Sequence, residues 1–349
     1  MTILLRKASW QWQLQLLLSF VAHATSYPVG VSIGQTYLTS AYYTDANELI
    51  AIARVVANPK WQSFFSETWA AGPRGQSSVS PFFHTCETDA YHTTDRSLSD
   101  EDVALLFRET LRQAKNATET ALNETITINS IAVPFHLQHY LTVLSEAAID
   151  EGFTTQYQQV THSLNADRLA YNLDSCVGFE IPPERCDIDG TNLVLVFNLE
   201  VDHLTVAMLD VQLWTISSHN VKHYVQFRET NGSILESART QELSNELKLY
   251  LETFAEEIGK KWKLSEPLQY LRAVVLSGEA SNSSMEEMHL ALAAALPEYE
   301  DKFRMSLDPH FVGAFGAAQR ARQIIQIPKF LTPPDPGFRI FVDDYHDEL

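Results

Sequence analysis

Positive charge is scarce in this chain: 25 lysines and arginines stand against 44 aspartates and glutamates, a formal charge of −19 over 349 residues. The imbalance argues against nucleic acid or an anionic membrane surface as partner, because both would repel it. Cysteine is scarcer still, at three. With no Cys-x-x-Cys spacing and no close histidine pair beside the thiols, a thiolate metal site is not expected. The chain also lacks a Gly-x-Ser-x-Gly nucleophile elbow, a short-period repeat and any low-complexity segment. Its N-terminal apolar run, interrupted by Gln13 and Gln15, is too short to span a bilayer. What remains is ordinary globular material, 45% hydrophobic and 20% charged, long enough for two lobes.

The two ends carry address signals. Arg6 and Lys7 precede the apolar run, and the small residues Ala22, Ala24 and Ser26 offer a cleavage site, so residues 1–26 read as a signal peptide. His346, Asp347, Glu348 and Leu349 spell a retention tetrapeptide, which a receptor reads at a free C-terminus inside the secretory pathway. Together they predict a resident of the endoplasmic reticulum lumen with no membrane span after cleavage. In that oxidising compartment Cys176 and Cys186, which flank Gly178 and the Pro182-Pro183 turn, are expected to form a disulfide, leaving Cys86 over. Asn116, Asn123, Asn231 and Asn282 open N-x-S/T sequons and are the expected glycosylation sites.

Periodicity predicts an α/β chain. Residues 29–43 read as a hairpin turning at Gly34, followed by a strand near 48–53. Ser99 caps a helix over 99–116, with Asp100, Glu101 and Asp102 in its first turn. Further strands are expected at 125–133, 160–164, 192–197, 204–213, 224–228 and 273–277. Further helices are expected at 136–152, 166–173, 241–262, 284–295 and 312–324. His136 and His139, three apart on one of these helices, are read chiefly as surface histidines. The stripe Leu243, Leu247, Leu251, Phe254 and Ile258 is read as core. Hairpins followed by strand–helix units occur twice, which suggests two related lobes.

Six stretches, in order, carry a family resemblance. They are Val29-Gly30-Val31-Ser32-Ile33-Gly34-Gln35-Thr36-Tyr37; Asn129-Ser130-Ile131-Ala132-Val133-Pro134-Phe135; Ala170-Tyr171-Asn172-Leu173-Asp174; Leu195-Val196-Phe197-Asn198-Leu199; Val274-Val275-Leu276-Ser277-Gly278; and the run from Leu307-Asp308-Pro309 through Gly313, Phe315 and Gly316 to Ala318. Over residues 29–325 the chain resembles the nucleotide-binding domain of the seventy-kilodalton heat-shock chaperones, within the actin-like ATPase superfamily. The resemblance implies a two-lobed, duplicated ribonuclease H-like fold, with lobe I over 27–165, lobe II over 166–326, and a linker and retention tail over 327–349. It also implies a remnant nucleotide site at Gly34, Gln35, Thr36, Gly278 and Gly316.

The same alignment removes the chemistry. Ser32 stands where the family has its metal-orienting Asp, and Ser163 where it has a catalytic Glu. The glycine-rich second phosphate hairpin becomes Asn198-Leu199-Glu200-Val201-Asp202-His203. Ser277 replaces a glycine of the adenosine motif, the adenine-stacking Arg falls near Ser281, and Lys60 is the only lysine near the catalytic position. Glycines let backbone N–H groups reach phosphate, whereas carboxylates there repel it. The segment 228–241 is too short for the lid subdomain, and no peptide-binding domain is expected after 335–336. The expectation is therefore a protein-binding or regulatory module among the lumenal folding and quality-control proteins, without catalysis, metal or cofactor. The alternative is a divergent ATPase that still takes ATP and Mg²⁺ through Gly34, Thr36, Gly278 and Asp202. A glycoprotein-processing hydrolase on another fold rests on compartment alone.

Overall fold

The computed structural model describes residues 27–70 apart from 45 and 47, 84–86, 98–211 apart from 155, 189 and 202, 216–225, 237–262 and 266–326. Residues 1–26, Asp202, Asn231, the linker over 328–336 and the tail from His346 to Leu349 lie outside the described residues.

The chain is α/β with two mixed sheets. The first contains β1 (Val29–Ile33), β2 (Tyr37–Tyr43), β3 (Leu49–Val56), β5 (Ile128–Val133) and β6 (Val160–His162), in the order β3-β2-β1-β5-β6. Strands β1–β3 form an antiparallel meander, and β5 and β6 run parallel to β1. The second contains β7 (Leu193–Leu199), β8 (His203–Val211), β9 (Ile216–Val225), β10 (Leu271–Ser277) and β11 (Phe303–Arg304), with β4 (His84–Cys86) added at the β9 edge. Its order, β11-β10-β7-β8-β9-β4, repeats the first in chain sequence: an antiparallel meander followed by two parallel strands.

Helices fill the spaces between and outside the sheets. On the outer side of the first sheet, one core joins Val29, Val31 and Ile33 to Trp61, Phe107, Leu111 and Leu144. These last four come from α1 (Pro59–Ala70), α2 (Asp100–Leu122) and α3 (Leu141–Asp150). The far side of the second sheet packs Leu195, Phe197 and Leu276 against α5 (Ser237–Trp262) and α6 (Asn282–Ala295). In the middle, α4 (Ser163–Ala170) and α7 (Val312–Gln326) lie against each other. There α7 touches β1, β2 and β5, and α4 touches β7 and β10. The β7 sequence Leu-Val-Leu-Val-Phe-Asn-Leu follows from this arrangement. Its odd positions enter the outer core, Val194 and Val196 enter the central one, and a strand covered on both faces reads as a continuous apolar run.

Several boundaries differ from the sequence expectation. The strand over 160–164 stops at His162, because its side chain accepts from the N–H of Asn165 and caps α4, which starts at Ser163 instead of 166. The strand expected at 224–228 is β9, which runs earlier and longer to pair along the whole of β8. The helix over 136–152 opens as a 3-10 turn (Phe135–Tyr140), and His136 is buried edge-on against Phe65 instead of facing solvent. The His139 ring lies 4.1 Å from that of Tyr140, tilted by 44°. The capped helix at Ser99 forms with a reciprocal capping box and extends to Leu122. Helix α1, β4 and β11 were not expected. In the long helix, Leu247, Leu251 and Phe254 are core, as read; the side chains of Leu243 and Ile258 lie outside the described residues.

Cys176 and Cys186 are disulfide-bonded, with Cα atoms 5.6 Å apart. Closing so short a loop in the unfolded chain should stabilise the fold by roughly 3 kcal/mol. A Cys176→Ser/Cys186→Ser variant is expected to lose about that much in urea unfolding, and an unchanged midpoint would show that the bridge constrains nothing.

Candidate functional site

The carboxyl ends of the parallel strands β1, β5, β7 and β10 converge on one cavity of about 30 Å³. It is lined by Ser32, Gly34, Pro134, Ser163, Asn198, Glu200, Ser277, Gly278 and Glu279, with Asp167 from α4, His310 from the 3-10 turn before α7 and Gly313 from the start of α7. Open α/β sheets place ligand crevices at such strand ends. The volume is room for a water molecule or two.

Glu279 dominates the cavity. Gly278 precedes it at φ +125°, a conformation that favours glycine, and a Cβ there would lie 2.1 Å from the carbonyl oxygen of Leu199. This bend aims Glu279 back across the cleft at the β1–β2 turn. Its Oε2 accepts from the N–H of Thr36 at 2.7 Å and its Oε1 from the N–H of Tyr37 at 2.9 Å. Gly34 admits the carboxylate because a Cβ at that position would be 1.8 Å from Oε1. The turn is held from behind by the Trp61 indole, which donates to the Gly34 carbonyl at 2.8 Å. Two adjacent backbone N–H groups presented by a tight turn form an anion-binding concavity. Here its occupant is a side chain of the same protein.

Three further polar side chains form a hydrogen-bonded chain. The amide of Asn198 donates to Ser277 Oγ at 3.1 Å, and Ser277 Oγ donates to Asp167 Oδ2 at 2.8 Å. Burial pushes the Asp167 carboxyl up to about 7, against the Ser277 bond, which pulls it down. Burial also raises Glu279 to about 7, opposed by the N–H groups of Thr36 and Tyr37, a hydrogen bond with Glu200, and the charge of Arg54. His310 closes the rim, its Nδ1 3.2 Å from the Gly278 carbonyl and its Nε2 2.9 Å from Asn282 Oδ1. Burial, and then Arg54, hold its pKa below the ordinary histidine value.

The structure therefore brings together Gly34, Thr36 and Gly278, and with them Ser32, Ser163, Asn198, Glu200 and Ser277. Gln35 points away, and its amide donates to Ser66. Gly316 does not line the cavity; it lies at the crossing of α7 with α4, against the backbone of Ala166. Lys60 is exposed on α1 and does not line the cavity. Ser281 caps α6. Among the described residues, no group of three or more His, Cys, Asp or Glu side chains is placed to hold a metal ion, and no helix is long and apolar enough to cross a membrane. Of the sequons, Asn116 is exposed along α2, Asn282 begins α6, and Asn123 is the left-handed C-cap of α2 at φ 54°, followed by exposed Thr125.

Asp167 and Glu279 escaped the sequence reading. Asp167 carries a faint signal: a charge on the face of α4 otherwise built from Leu164, Ala166 and Ala170. Glu279 carries none. No protein-family model matches the chain, and no curated protein does.

Proposed function

We infer that this protein is a chaperone-like pseudo-ATPase of the endoplasmic reticulum lumen, built on the two-lobed actin-like ATPase fold. It acts on lumenal folding and quality-control proteins as a binding or regulatory module, through its surfaces and not through ATP turnover. The observation that carries the reading is Glu279: its carboxylate takes the backbone N–H pair that would otherwise receive a phosphate. The repeated strand order supports the duplicated fold, as does the convergence of separate motifs on one cavity. The network from Asn198 through Ser277 to Asp167 supports the loss of catalysis, because these side chains spend their hydrogen bonds on one another. The disulfide accords with an oxidising compartment, and the location itself rests on the signal peptide and retention tail.

Calorimetry of the purified mature chain with ATP, with and without Mg²⁺, tests the reading. No heat of binding is expected at micromolar concentrations, and micromolar, Mg²⁺-dependent affinity would overturn it. The second reading, a divergent ATPase, draws on the meeting of Gly34, Thr36 and Gly278 at the cavity. It requires steady ATP hydrolysis that is lost on Asp202→Ala.

A further inference from the structure

Strand β3 lies at the edge of the first sheet, paired on one side with β2. Its sequence, Leu-Ile-Ala-Ile-Ala-Arg-Val-Val, carries one charge, and Ile50 and Val56 are 37% and 53% exposed. Backbone bonds at its two ends fix which groups face β2. The Thr44 N–H donates to the Glu48 carbonyl, and the Ala57 N–H donates to the Thr36 carbonyl. Alternating inward from each end, Ile50, Ala53 and Val55 bond to β2. The N–H and C=O groups of Leu49, Ala51, Arg54 and Val56 therefore point away from β2. Val56 bears out the direction, since its carbonyl accepts from Gln113 Nε2 of α2 at 2.6 Å. Among the described residues, nothing meets the outward groups of Leu49, Ala51 and Arg54. An exposed apolar edge of this kind is a template for one more strand. We propose that the β3 edge is the contact of a homodimer, in which β3 of two copies pair antiparallel about a two-fold axis and join two five-stranded sheets into one.

The edge is self-complementary in one register. Ile52 is an extra residue in the β2–β3 pairing, opposite the step from Ser40 to Ala41, so the outward groups fall at 49 and 51, then at 54 and 56. An antiparallel copy matches all four when Ala51 faces Arg54 of the other copy and Leu49 faces Val56. The axis then passes between Ile52 and Ala53. No arginine meets an arginine, and the other opposed pairs, Ile50 with Val55 and Ile52 with Ala53, are apolar. Charge selects the same partner. Exposed Glu48 precedes the strand and exposed Lys60 follows it, so antiparallel pairing brings the acid of each copy to the end where the base of the other lies. Residues 49–66 contain no Asp or Glu, which lets two chains of net charge −19 meet along this edge. Acids more than about 8 Å away are largely screened at physiological salt. The pairing uses no nucleotide, so it stands or falls separately from the reading of the cleft.

Sedimentation equilibrium of the purified mature chain between about 1 and 200 μM tests it, and a reversible monomer–dimer equilibrium is expected. Exchange of the Ala51 and Arg54 amides with solvent should slow as the dimer fills. Ala51→Pro removes an outward N–H and none that β2 uses, so it should keep the wild-type circular dichroism and weaken the dimer by about tenfold or more. Glu48→Lys alters one exposed side chain and should weaken it by about threefold or more; adding Lys60→Glu to that variant should restore it. A chain still monomeric at the highest concentration would overturn the proposal, and one that then takes up an extended apolar peptide at β3 would give the edge to another partner. A dimer indifferent to both Ala51→Pro and Glu48→Lys would overturn it as well. So would Ala51 and Arg54 amides already fully protected in the monomer, because another part of the chain would then cover the edge.

Discussion

Gly316→Ala should destabilise the protein by about 3 kcal/mol or more, although it adds a single methyl group. The added Cβ would sit 1.7 Å from the carbonyl oxygen of Ala166 and 2.3 Å from its carbonyl carbon. Both are backbone atoms of α4, so no side-chain rotation relieves the clash, and α4 and α7 would have to part. The cost spreads because α7 also packs on β1, β2 and β5, while α4 reaches β7 and β10. Gly30→Ala should behave alike, its Cβ falling 2.0 Å from the Ala318 nitrogen. Gly152→Ala is the control. Gly152 has φ +70° with nothing within 4 Å of a Cβ, so only left-handed backbone strain of about 1 kcal/mol is expected. Urea unfolding of the three variants separates contact from strain. If Gly316→Ala costs no more than Gly152→Ala, the close crossing of α4 and α7 is not what holds the centre of the molecule together. The comparison also bears on function, since a glycine kept for a ligand would show its loss in binding and leave stability alone.

The second large effect is a fall in stability as pH rises. Asp167 has its pKa raised from 3.8 to about 7 by burial, so the folded state holds an extra proton across that window. Glu279, raised from 4.5 to about 7, holds another. Their contribution is complete below the unfolded values and is lost as pH climbs through 7. His162 works in the opposite sense. Burial and Arg168 lower its pKa from 6.5 to about 4, so its contribution is present above 6.5 and lost as pH falls. His310, also lowered by burial, has the same sign. Below 6.5 the histidines offset part of the carboxyl slope. Above about 7 both carboxyls have ionised in the folded state as well and the slope levels off, so the net fall should be steepest between about 6.5 and 7, at up to about 1.4 kcal/mol per pH unit for each proton still held.

Asp167→Asn keeps an oxygen for Ser277 and removes the ionisation. It should match the wild type within about 1 kcal/mol at pH 5 and exceed it at pH 8 by on the order of 2 kcal/mol. Urea unfolding at both pH values measures the difference. A flat wild-type profile between pH 6 and 8, or an Asp167→Asn variant with the wild-type slope, would count against a buried, protonated Asp167.

Much of the architecture is legible in the sequence. The apolar run at β7, the Ser99 cap with acidic residues after it, and the hairpin pivoting at Gly34 are local signals, and local geometry obeys them. Where local signals were weak, the reading slipped. The alternation in β9 is blurred by polar residues such as Ser217, Asn220 and Lys222, and its length is set by β8 beside it. The end of β6 depended on the His162 cap, an unusual capping residue.

The candidate site divides along the same line. Sequence by itself determined which residues stand at the strand ends: Ser32, Gly34, Asn198, Glu200, Ser277 and Gly278 were all singled out from linear motifs, and they meet in one cavity. Tertiary structure alone decided what occupies it. Glu279 looks like one more solvated acid until the positive φ of Gly278 turns it toward a hairpin far away in the chain. Asp167 looks like a helix-surface charge until α7 and the second sheet bury it. The physical reason is that hydrogen-bonding partners and dielectric surroundings belong to the space around a group, and residues distant in sequence create that space only when the two sheets and the helices between them have come together.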